Sequence, residues 1–184
     1  MKKPTIILIS GKAQNGKDFV ANELKRQLEE LGNKVLIVHY ADYLKMVCKD
    51  YLGWDGKKDE KGRQVLQYVG TDKARKNNPD IWVKVVNELI LAIGEDYDYI
   101  LIPDTRFSNE IDYMKRYGHD VISVRVTRLN FESTLTKEQK QHLSETALDN
   151  YDFDWYMNCE SGINSVREAV LKFIEYKGDV ECLN

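Results

Sequence analysis

The stretch GKAQNGKD at residues 11–18 fits the pattern Gly-x-x-x-x-Gly-Lys-Ser/Thr, except that Asp18 replaces the hydroxyl residue. A short β-branched apolar run, Thr5–Ile9, precedes it and predicts a buried strand. From Asp18 to Leu31 apolar side chains recur at the spacing of one helical face, which predicts a helix. Glycines between a strand and a helix let backbone N–H groups turn onto phosphate oxygens, and the helix N-terminus adds its positive dipole end. The stretch therefore predicts a loop that binds nucleotide phosphates.

The last two residues of this loop carry its charges. Lys17 would reach the outer phosphates as a point charge. Asp18 stands where the pattern has a hydroxyl ligand of magnesium, but a carboxylate also serves a hard cation, directly or through water. The metal would offset the repulsion between this carboxylate and the phosphates. We therefore expect Asp18 to act around magnesium.

Length and composition indicate one soluble globular domain over residues 1–184. The formal net charge of −3 argues against a nucleic-acid-binding protein that relies on general basicity. Cys48, Cys159 and Cys182 contain no Cys-x-x-Cys pair, which indicates neither a disulfide framework nor a zinc site, and we interpret them as reduced thiols of a cytoplasmic protein. No apolar stretch approaches the roughly 18 residues of a membrane span. We expect neither a membrane nor a nucleic acid polymer as a partner.

Strand and helix patterns alternate along the chain. The predicted strands are Thr5–Ser10, Lys34–Tyr40, Tyr97–Pro103, Val121–Val126 and, with a weaker pattern, Asp154–Asn158. The predicted helices are Lys17–Leu31, Asp42–Leu52, Gly62–Asn77, Asp80–Ile93, Asn109–Tyr117 and Ser165–Tyr176. This alternation predicts βαβ units and a parallel sheet covered on both faces. The polar, aperiodic stretches 55–62 and 129–143 are candidates for movable lids.

A second candidate site follows the apolar strand that ends at Pro103. Asp104 would lie at the carboxyl edge of the sheet, where ligands bind in open α/β folds. Beside a phosphate loop such an Asp commonly orients magnesium, its waters or a substrate group. The alternative is that Asp104 caps the following turn. Arg106 has the fork geometry to clamp a phosphate, with a solvated surface arginine as the alternative.

Further arginines could surround a second set of phosphates. Arg63, Gln67 and Arg75 could lie along one face of a predicted helix. The alternative is that this face is an ordinary solvent-exposed one. Arg125 and Arg128 end a predicted strand just before a polar stretch. A lid arginine that reaches the transferring phosphate would be mounted there, although arginines at strand ends are often structural.

Other positions have two interpretations. Asp42 either caps the helix that it begins or contacts a substrate. Trp82 is first a core residue of its helix and otherwise a platform on which a base stacks. His39, His119 and His142 lack metal-ligand spacing, and we interpret them as surface or core residues.

Together these stretches resemble the bacteriophage-type deoxynucleoside monophosphate kinases, in a group of P-loop kinases that also includes the animal-type phosphomevalonate kinases. The resemblance covers nearly the whole chain. It rests on GKAQNGKD at 11–18, YADYLK at 40–45, LQYVGTD at 66–72, DIWV at 80–83, DTRFSNE at 104–110 and HLSETALD at 142–149. In both families an Asp follows the loop lysine. The resemblance implies a three-layer P-loop kinase fold, with a five-stranded, mostly parallel sheet, helices on both faces and a small lid.

The resemblance also implies ATP as the donor, with Mg²⁺, and an acceptor that is already a phosphate monoester. The residues expected at the ATP phosphates are Gly11, Lys12, Gln14, Asn15, Gly16, Lys17, Asp18 and Arg125. Those expected at the acceptor are Asp42, Lys45, Arg63, Gln67, Thr71, Arg75, Trp82 and Arg106. The expected catalytic residues are Lys17, Asp104, Arg106 and Arg128, and the expected metal-binding residues are Asp18 and Asp104.

The two families differ in their acceptor. LQYVGTD with Arg75, Pro79 and Trp82 resembles the nucleotide kinases, whereas GKDFV at 16–20 and LDNYDFDW at 148–155 resemble phosphomevalonate kinase at least as much. Phe19 stands where nucleotide kinases of this group usually carry Thr. We predict transfer to a (deoxy)nucleoside 5′-monophosphate, with a phosphomevalonate-like monoester as the alternative.

Two rival functions belong to other classes. One is a catalytically silent nucleotide-binding module, which the missing loop hydroxyl favours and the retained Lys17 opposes. The other is a GTP-dependent switch, which is weak because NKVL at 33–36 lacks the Asp of an Asn-Lys-x-Asp signature. Assembly into a homodimer is left open.

Overall fold

A five-stranded parallel sheet forms the centre of the computed structural model, which describes residues 3–57 and 59–178. The strands are β1 (Thr5–Ser10), β2 (Val35–Ile37), β3 (Tyr99–Thr105), β4 (Asp120–Arg128) and β5 (Trp155–Cys159). Their order is β2-β3-β1-β4-β5, and each neighbouring pair is parallel. Because β1 lies between β3 and β4, the segments that follow these three strands meet at one edge of the sheet.

Helices surround this sheet. In the described residues the α-helices are α1 (Lys17–Glu30), α2 (Ala41–Tyr51), α3 (Glu60–Gln67), α4 (Ile81–Ile93), α5 (Ser108–Arg116), α6 (Lys137–Gln141), α7 (Leu143–Thr146) and α8 (Ile163–Lys177). A π-helical segment, Tyr68–Arg75, continues α3, and a 3-10 turn, Gly94–Asp96, follows α4. None of the helices described combines the length and the hydropathy that crossing a membrane requires.

Side chains of β1 alternate between two hydrophobic cores, as the period of a strand dictates. Ile7 and Ile9 pack in the core formed with α1 and α8. Ile6 and Leu8 pack in the core formed with α2, α4 and α5. Helices therefore cover both faces of the sheet, and the predicted three-layer α/β architecture is confirmed.

Element boundaries differ from the predictions where tertiary pairing overrides the local pattern. β2 pairs with β3 only over Val35–Ile37, which is shorter than the predicted strand. β4 extends to Arg128 because its last residues pair with β5 beyond the point where its pairing with β1 ends. The short α6 and α7 lie in a region that has no predicted helix, since each is too short to show a hydrophobic period.

The helix predicted over 62–77 changes its winding after Gln67, where the π-helical segment begins. Gly70 lies against α2, and a Cβ atom there would be 2.5 Å from Cδ2 of Leu44. The carbonyl oxygen of Gly70 accepts a 3.0 Å hydrogen bond from Nε1 of Trp82. Sequence periodicity missed this change because the contacts that accompany it are made with residues of α2 and α4, which are distant in the sequence. Such segments are frequent at functional sites.

The cysteines of the described residues are unpaired. Cys48 and Cys159 are separate buried thiols, and burial raises the pKa of each. Cys182, which we interpreted together with them, lies outside the described residues.

Candidate active site

The loop predicted to bind phosphates connects β1 to α1. Gly11 lies so close to β4 that a Cβ atom would be 2.5 Å from the carbonyl oxygen of Val126. Gly16 precedes α1 with a φ of 80°, a left-handed conformation that favours glycine. These glycines allow the loop to turn tightly into the N-terminus of α1, where backbone N–H groups can bind anions.

Lys17 is folded back onto this loop. Its side chain is buried, and Nζ donates to the carbonyl oxygens of Gly11 at 2.9 Å and Lys12 at 3.0 Å. Burial, assisted by the positive charge of Arg106, lowers the pKa of Lys17 to about 7. The carboxylates of Glu145, Asp18 and Asp104 act in the opposite direction. A bound phosphate would favour the charged form, as expected of the loop lysine of a nucleotide site.

Asp104 lies near the end of β3, and its carboxylate binds the backbone at the start of α2. Its Oδ1 accepts a 2.9 Å hydrogen bond from the amide of Tyr40, and its Oδ2 accepts one of 2.9 Å from the amide of Ala41. Asp104 therefore caps α2, a neighbouring helix, and not the turn that follows it. The prediction that Asp42 caps this helix is wrong, because the helix begins at Ala41 and the capping carboxylate comes from β3.

Two carboxylates offer oxygen ligands beside the loop lysine. The side chain of Asp18 is 74% exposed, and both Asp18 and Asp104 lie close enough to Lys17 to raise its pKa. Hard oxygen donors of this kind suit Mg²⁺, which keeps several waters and takes one or two protein carboxylates. The pair fits the predicted metal site, although no cluster of three or more ligand side chains occurs in the described part of the chain.

His39 connects two of the predicted site residues. Its Nε2 lies 3.2 Å from Oδ1 of Asp18, and its Nδ1 lies 3.3 Å from Oδ2 of Asp42. The hydrogen bond with Asp18 raises the pKa of His39 against the opposing effect of burial, and the charges of Asp104 and Asp42 add to the rise. Sequence reasoning treated His39 as an ordinary surface or core residue, and no spacing signal identified it.

Arg75 is held by a buried carboxylate. Its Nη2 pairs with Oε1 of Glu110, a residue that is fully buried, and its guanidinium lies 4.1 Å from the ring centre of Phe107. The other oxygen of Glu110 accepts from the backbone amides of Arg106 at 2.6 Å and Phe107 at 3.0 Å. Glu110 thereby fixes both the Arg75 side chain and the backbone that carries Arg106.

Arg106 is held by a second carboxylate. Its Nη1 donates to Oε1 of Glu145 at 2.6 Å and to the carbonyl oxygen of Ser144 at 3.4 Å. Oε2 of Glu145 accepts a 2.8 Å hydrogen bond from the backbone amide of Ala13 in the phosphate loop. One acidic side chain therefore touches both the loop and an arginine predicted to bind the acceptor.

Residues 142–149, here called the covering segment, lie on the phosphate loop. Nζ of Lys12 donates to the carbonyl oxygen of Glu145 at 2.7 Å and pairs with Asp149. Arg125 also reaches Asp149, at 3.4 Å. Gln14 tethers the preceding residues, because its side-chain amide exchanges hydrogen bonds of 2.7 and 3.0 Å with Thr134.

One cavity of about 940 Å³ joins the phosphate loop to the predicted acceptor residues. All eight predicted acceptor residues line it: Asp42, Lys45, Arg63, Gln67, Thr71, Arg75, Trp82 and Arg106. Gln14, Lys17, Asp18 and Asp104 line the same cavity from the loop side. The structure thus brings together residues from five places in the chain: the phosphate loop with the start of α1, α2, α3 with its π-helical continuation, α4, and the end of β3.

Arg125 and Arg128 are not among the residues that line this cavity. Arg125 lies 3.2 Å from Oγ of Ser10, whereas Arg128 contacts Ser161 at 3.2 Å and lies 4.3 Å from the ring centre of Phe131. Both belong to β4, where residues three apart point to opposite faces. A role for these arginines at the transferring phosphate stays a prediction. Asn15, also predicted at the phosphates, accepts a 2.7 Å hydrogen bond from the amide of Arg128 and so ties the loop to β4.

Trp82 forms part of the cavity wall but belongs to the core. Its side chain is 6% exposed, and its N–H is bonded to Gly70. The core interpretation is the one that this geometry favours over a platform for base stacking.

Comparison with known proteins identifies the family. The sequence model of the phosphomevalonate kinases matches residues 9–120, more than half of the chain. The chain belongs to the phosphomevalonate kinase family. Over 131 residues it is 32% identical to a phosphomevalonate kinase from Drosophila melanogaster, an alignment that covers 66% of this chain and 67% of the relative.

Solved structures confirm the fold. An APS kinase mutant from Mycobacterium tuberculosis is similar with a TM-score of 0.52 at 12% identity, over 97% of this chain and 99% of that one. A shikimate kinase from Bacteroides thetaiotaomicron is similar with a TM-score of 0.53 at 11% identity, over 95% of this chain and 98% of that one. The P-loop kinase fold is therefore confirmed.

Family membership confirms a phosphotransferase of the P-loop kinase group that uses ATP. It does not confirm a (deoxy)nucleoside monophosphate as the acceptor, since the family and the relative both carry the name of the alternative. LQYVGTD, which favoured the nucleotide kinases, spans the end of α3 and the start of the π-helical segment, and four of its residues line the cavity. That position does not distinguish one phosphate acceptor from another.

Proposed function

We propose that this chain transfers the γ-phosphoryl group of ATP to a small phosphate monoester of the phosphomevalonate type, giving the diphosphate and ADP. The observation that carries the proposal is the cavity that joins the phosphate loop to a group of cationic side chains. Lys45, Arg63, Arg75 and Arg106 all line its acceptor side. Phosphomevalonate carries a carboxylate besides its phosphate, and such a cluster suits an acceptor with two anionic groups.

The chemistry requires positioning more than acid–base catalysis. A phosphate acceptor is itself an anionic nucleophile, so no strong general base is needed. Lys17 and the loop amides would hold the donor phosphates, and Arg75 and Arg106 would orient the acceptor phosphate. Asp18 and Asp104 would hold Mg²⁺, which when bound would neutralise charge on the donor phosphates.

The burial of Trp82 supports an acceptor without a base. A nucleoside monophosphate kinase has to recognise a planar base, commonly by stacking and hydrogen bonds. The candidate platform, Trp82, is buried and its N–H is used within the protein.

A coupled ADP-release assay tests the proposal. The purified chain is given ATP, Mg²⁺ and either 5-phosphomevalonate or one of a panel of ribo- and deoxynucleoside monophosphates. We expect turnover with 5-phosphomevalonate alone. Turnover with a nucleoside monophosphate instead would overturn the choice of acceptor.

The same assay distinguishes a kinase from a catalytically silent nucleotide-binding module. Lys17→Ala serves as the inactive control, because it removes the charge at the outer phosphates. If the wild type binds ATP but releases no more ADP than Lys17→Ala with any acceptor, the chain is a nucleotide-binding module and not a kinase.

A further inference from the structure

Glu145 joins the donor and acceptor sides of the cavity through one carboxylate. Oε2 accepts from the amide of Ala13 at 2.8 Å, and Oε1 accepts from Nη1 of Arg106 at 2.6 Å. The side chain is 8% exposed, so water competes little for either contact. The carboxylate is therefore shared between the loop that faces the donor and an arginine expected to face the acceptor.

The covering segment fixes the position of this carboxylate. Lys12 binds both the carbonyl oxygen of Glu145 and the side chain of Asp149, and Arg125 reaches Asp149 from β4. Arg106 itself contacts the carbonyl oxygen of Ser144. A carboxylate on a segment held at several points acts as part of the scaffold.

A fixed carboxylate orients the arginine that it binds. Charge-assisted hydrogen bonds between guanidinium and carboxylate are short and directional, and are stronger where water is excluded. A guanidinium has five N–H groups, so an arginine held through one nitrogen still has donors for a phosphate. An arginine that is already held in place loses less conformational entropy when the ligand binds, so the free-energy cost of binding is smaller.

We propose that Glu145 is a positioning residue that fixes Arg106 relative to the phosphate loop, so that the acceptor phosphate is aligned with the outer phosphate of the donor. This inference rests on the proposed function for the identity of the acceptor. The orientation of Arg106 does not depend on that identity, and it is tested separately below.

Glu145→Gln is the informative variant. It keeps the size of the side chain, but its Nε2 is a donor, so it can satisfy Ala13 or Arg106 and not both. Misalignment of a reacting group lowers the rate steeply, and we expect kcat/KM for 5-phosphomevalonate to fall about 10- to 100-fold. The Kd for ADP, measured by calorimetry, should stay within about threefold, since the remaining loop amides and Lys17 still hold the phosphates. Glu132→Gln, which changes an exposed carboxylate before α6, is the matched control and should alter neither quantity.

NMR of the arginine side chains measures whether the Arg106 guanidinium is held in place, and it needs no acceptor. In the wild type, Arg106 should give resolved Nη signals from a guanidinium that rotates slowly. In Glu145→Gln these signals should average while the rest of the spectrum is kept, and Arg106→Lys assigns them. Should the wild type fail to use 5-phosphomevalonate, the proposed function fails and this spectrum still decides the role of Glu145.

Three results would overturn the positioning role. The first is averaged Arg106 signals in the wild type, or the same resolved signals in Glu145→Gln. The second is an unchanged kcat/KM in Glu145→Gln when the wild type is active. The third is an ADP affinity that rises about tenfold or more in the variant, because the carboxylate would then compete with the phosphates for the loop.

Discussion

The ammonium group of Lys17 donates a hydrogen bond to the carbonyl oxygen of Gly11 across 2.9 Å, within the loop that is expected to receive phosphates. A carbonyl oxygen solvates the ammonium but does not neutralise its charge. The effect of burial on the pKa of Lys17 therefore exceeds that of the surrounding carboxylates, and the pKa falls to about 7. The loop lysine of the nucleotide-free chain titrates near neutral pH, whereas an ordinary lysine stays charged there.

We expect nucleotide binding to take up a proton. At pH 8 most Lys17 side chains of the free chain are neutral, and bound phosphates raise the pKa so that the bound lysine is charged. Calorimetry of ADP binding in buffers of different ionisation enthalpy should show an uptake approaching one proton at pH 8, and much less at pH 6. Lys17→Met should show none. Equal uptake in wild type and Lys17→Met would contradict this assignment.

The same shift sets a pH dependence of stability. The folded pKa of about 7 lies below the ordinary lysine pKa of 10.5, so between these pH values the unfolded chain binds more protons than the folded one. The free energy of unfolding of the nucleotide-free wild type should therefore rise with pH across this window, relative to Lys17→Met. Urea titrations at pH 7 and pH 10 compare the two chains.

Removing Arg75 should leave Glu110 buried without its cation. Breaking a buried pair from one side typically costs about 3–5 kcal/mol, and we expect Arg75→Met to lower the free energy of unfolding by that order. Arg75→Met combined with Glu110→Gln should recover much of the loss, because no isolated charge then remains and the amide oxygen at position 110 still accepts from the backbone amides of Arg106 and Phe107. Urea unfolding of the two single variants and the double variant gives the coupling energy. Additive single effects would show that the pair is not coupled.

His39 and His119 should titrate on opposite sides of the ordinary histidine pKa. The hydrogen bond with Asp18 raises the pKa of His39, whereas burial lowers that of His119. NMR titration of the ring protons measures both in one sample. Asp18→Asn should lower the pKa of His39 and leave that of His119 unchanged. The reverse order of the two pKa values would disprove the pairing seen here.

The raised pKa of His39 also predicts where its contribution to stability is lost. The charged ring stabilises the folded chain below the unfolded pKa, and this contribution disappears as pH rises through the higher folded pKa. Its size should be about 0.5–1 kcal/mol, since Asp18 and Asp42 are largely exposed. His39→Gln should remove this pH dependence from urea titrations.

Gly11→Ala should prevent nucleotide binding. The added Cβ would lie 2.5 Å from the backbone oxygen of Val126, and a strand backbone cannot move aside as a flexible side chain can. The loop must shift, so we expect ADP affinity to fall at least about 100-fold, the scale of a 1 Å misplacement in a positioned site. Gly118→Ala is the control, because its Cβ meets nothing within 4 Å and only its left-handed backbone is strained. It should lose about 1 kcal/mol of stability and keep ADP binding.

Local signals explain how much of the fold was predictable. The run of β1, the glycine loop and the helical face of α1 follow one another directly, and strand alternation with helices leads to a parallel sheet. The strand order was not contained in these signals, since it depends on pairing between distant segments. The π-helical winding was missed because Gly70 adopts it through contacts with Leu44 and Trp82, which lie on other helices.

The cations of the site were predictable and their partners were not. Arg63, Arg75 and Arg106 stand out by charge near loop ends, and all three line the cavity. Glu145 lies 39 residues from Arg106 and 132 residues from Ala13, so no spacing rule connects them. The role of Glu110 was easier to predict from the sequence, because a Glu three residues after the N-cap of a helix commonly accepts hydrogen bonds from the backbone there, as Glu110 does from Arg106 and Phe107.

The π-helical segment gives the cavity a dependence on chain register. A π turn holds one more residue than an α turn, so deleting a single residue within 68–75 would permit ordinary α winding. The wide turn absorbs the additional residue, so such a deletion would leave the elements on both sides of the segment in their present register. Thr71 and Arg75 line the cavity from this segment. A change of one residue in length between them would therefore alter the spacing of two side chains on the acceptor wall while the rest of the fold keeps its register.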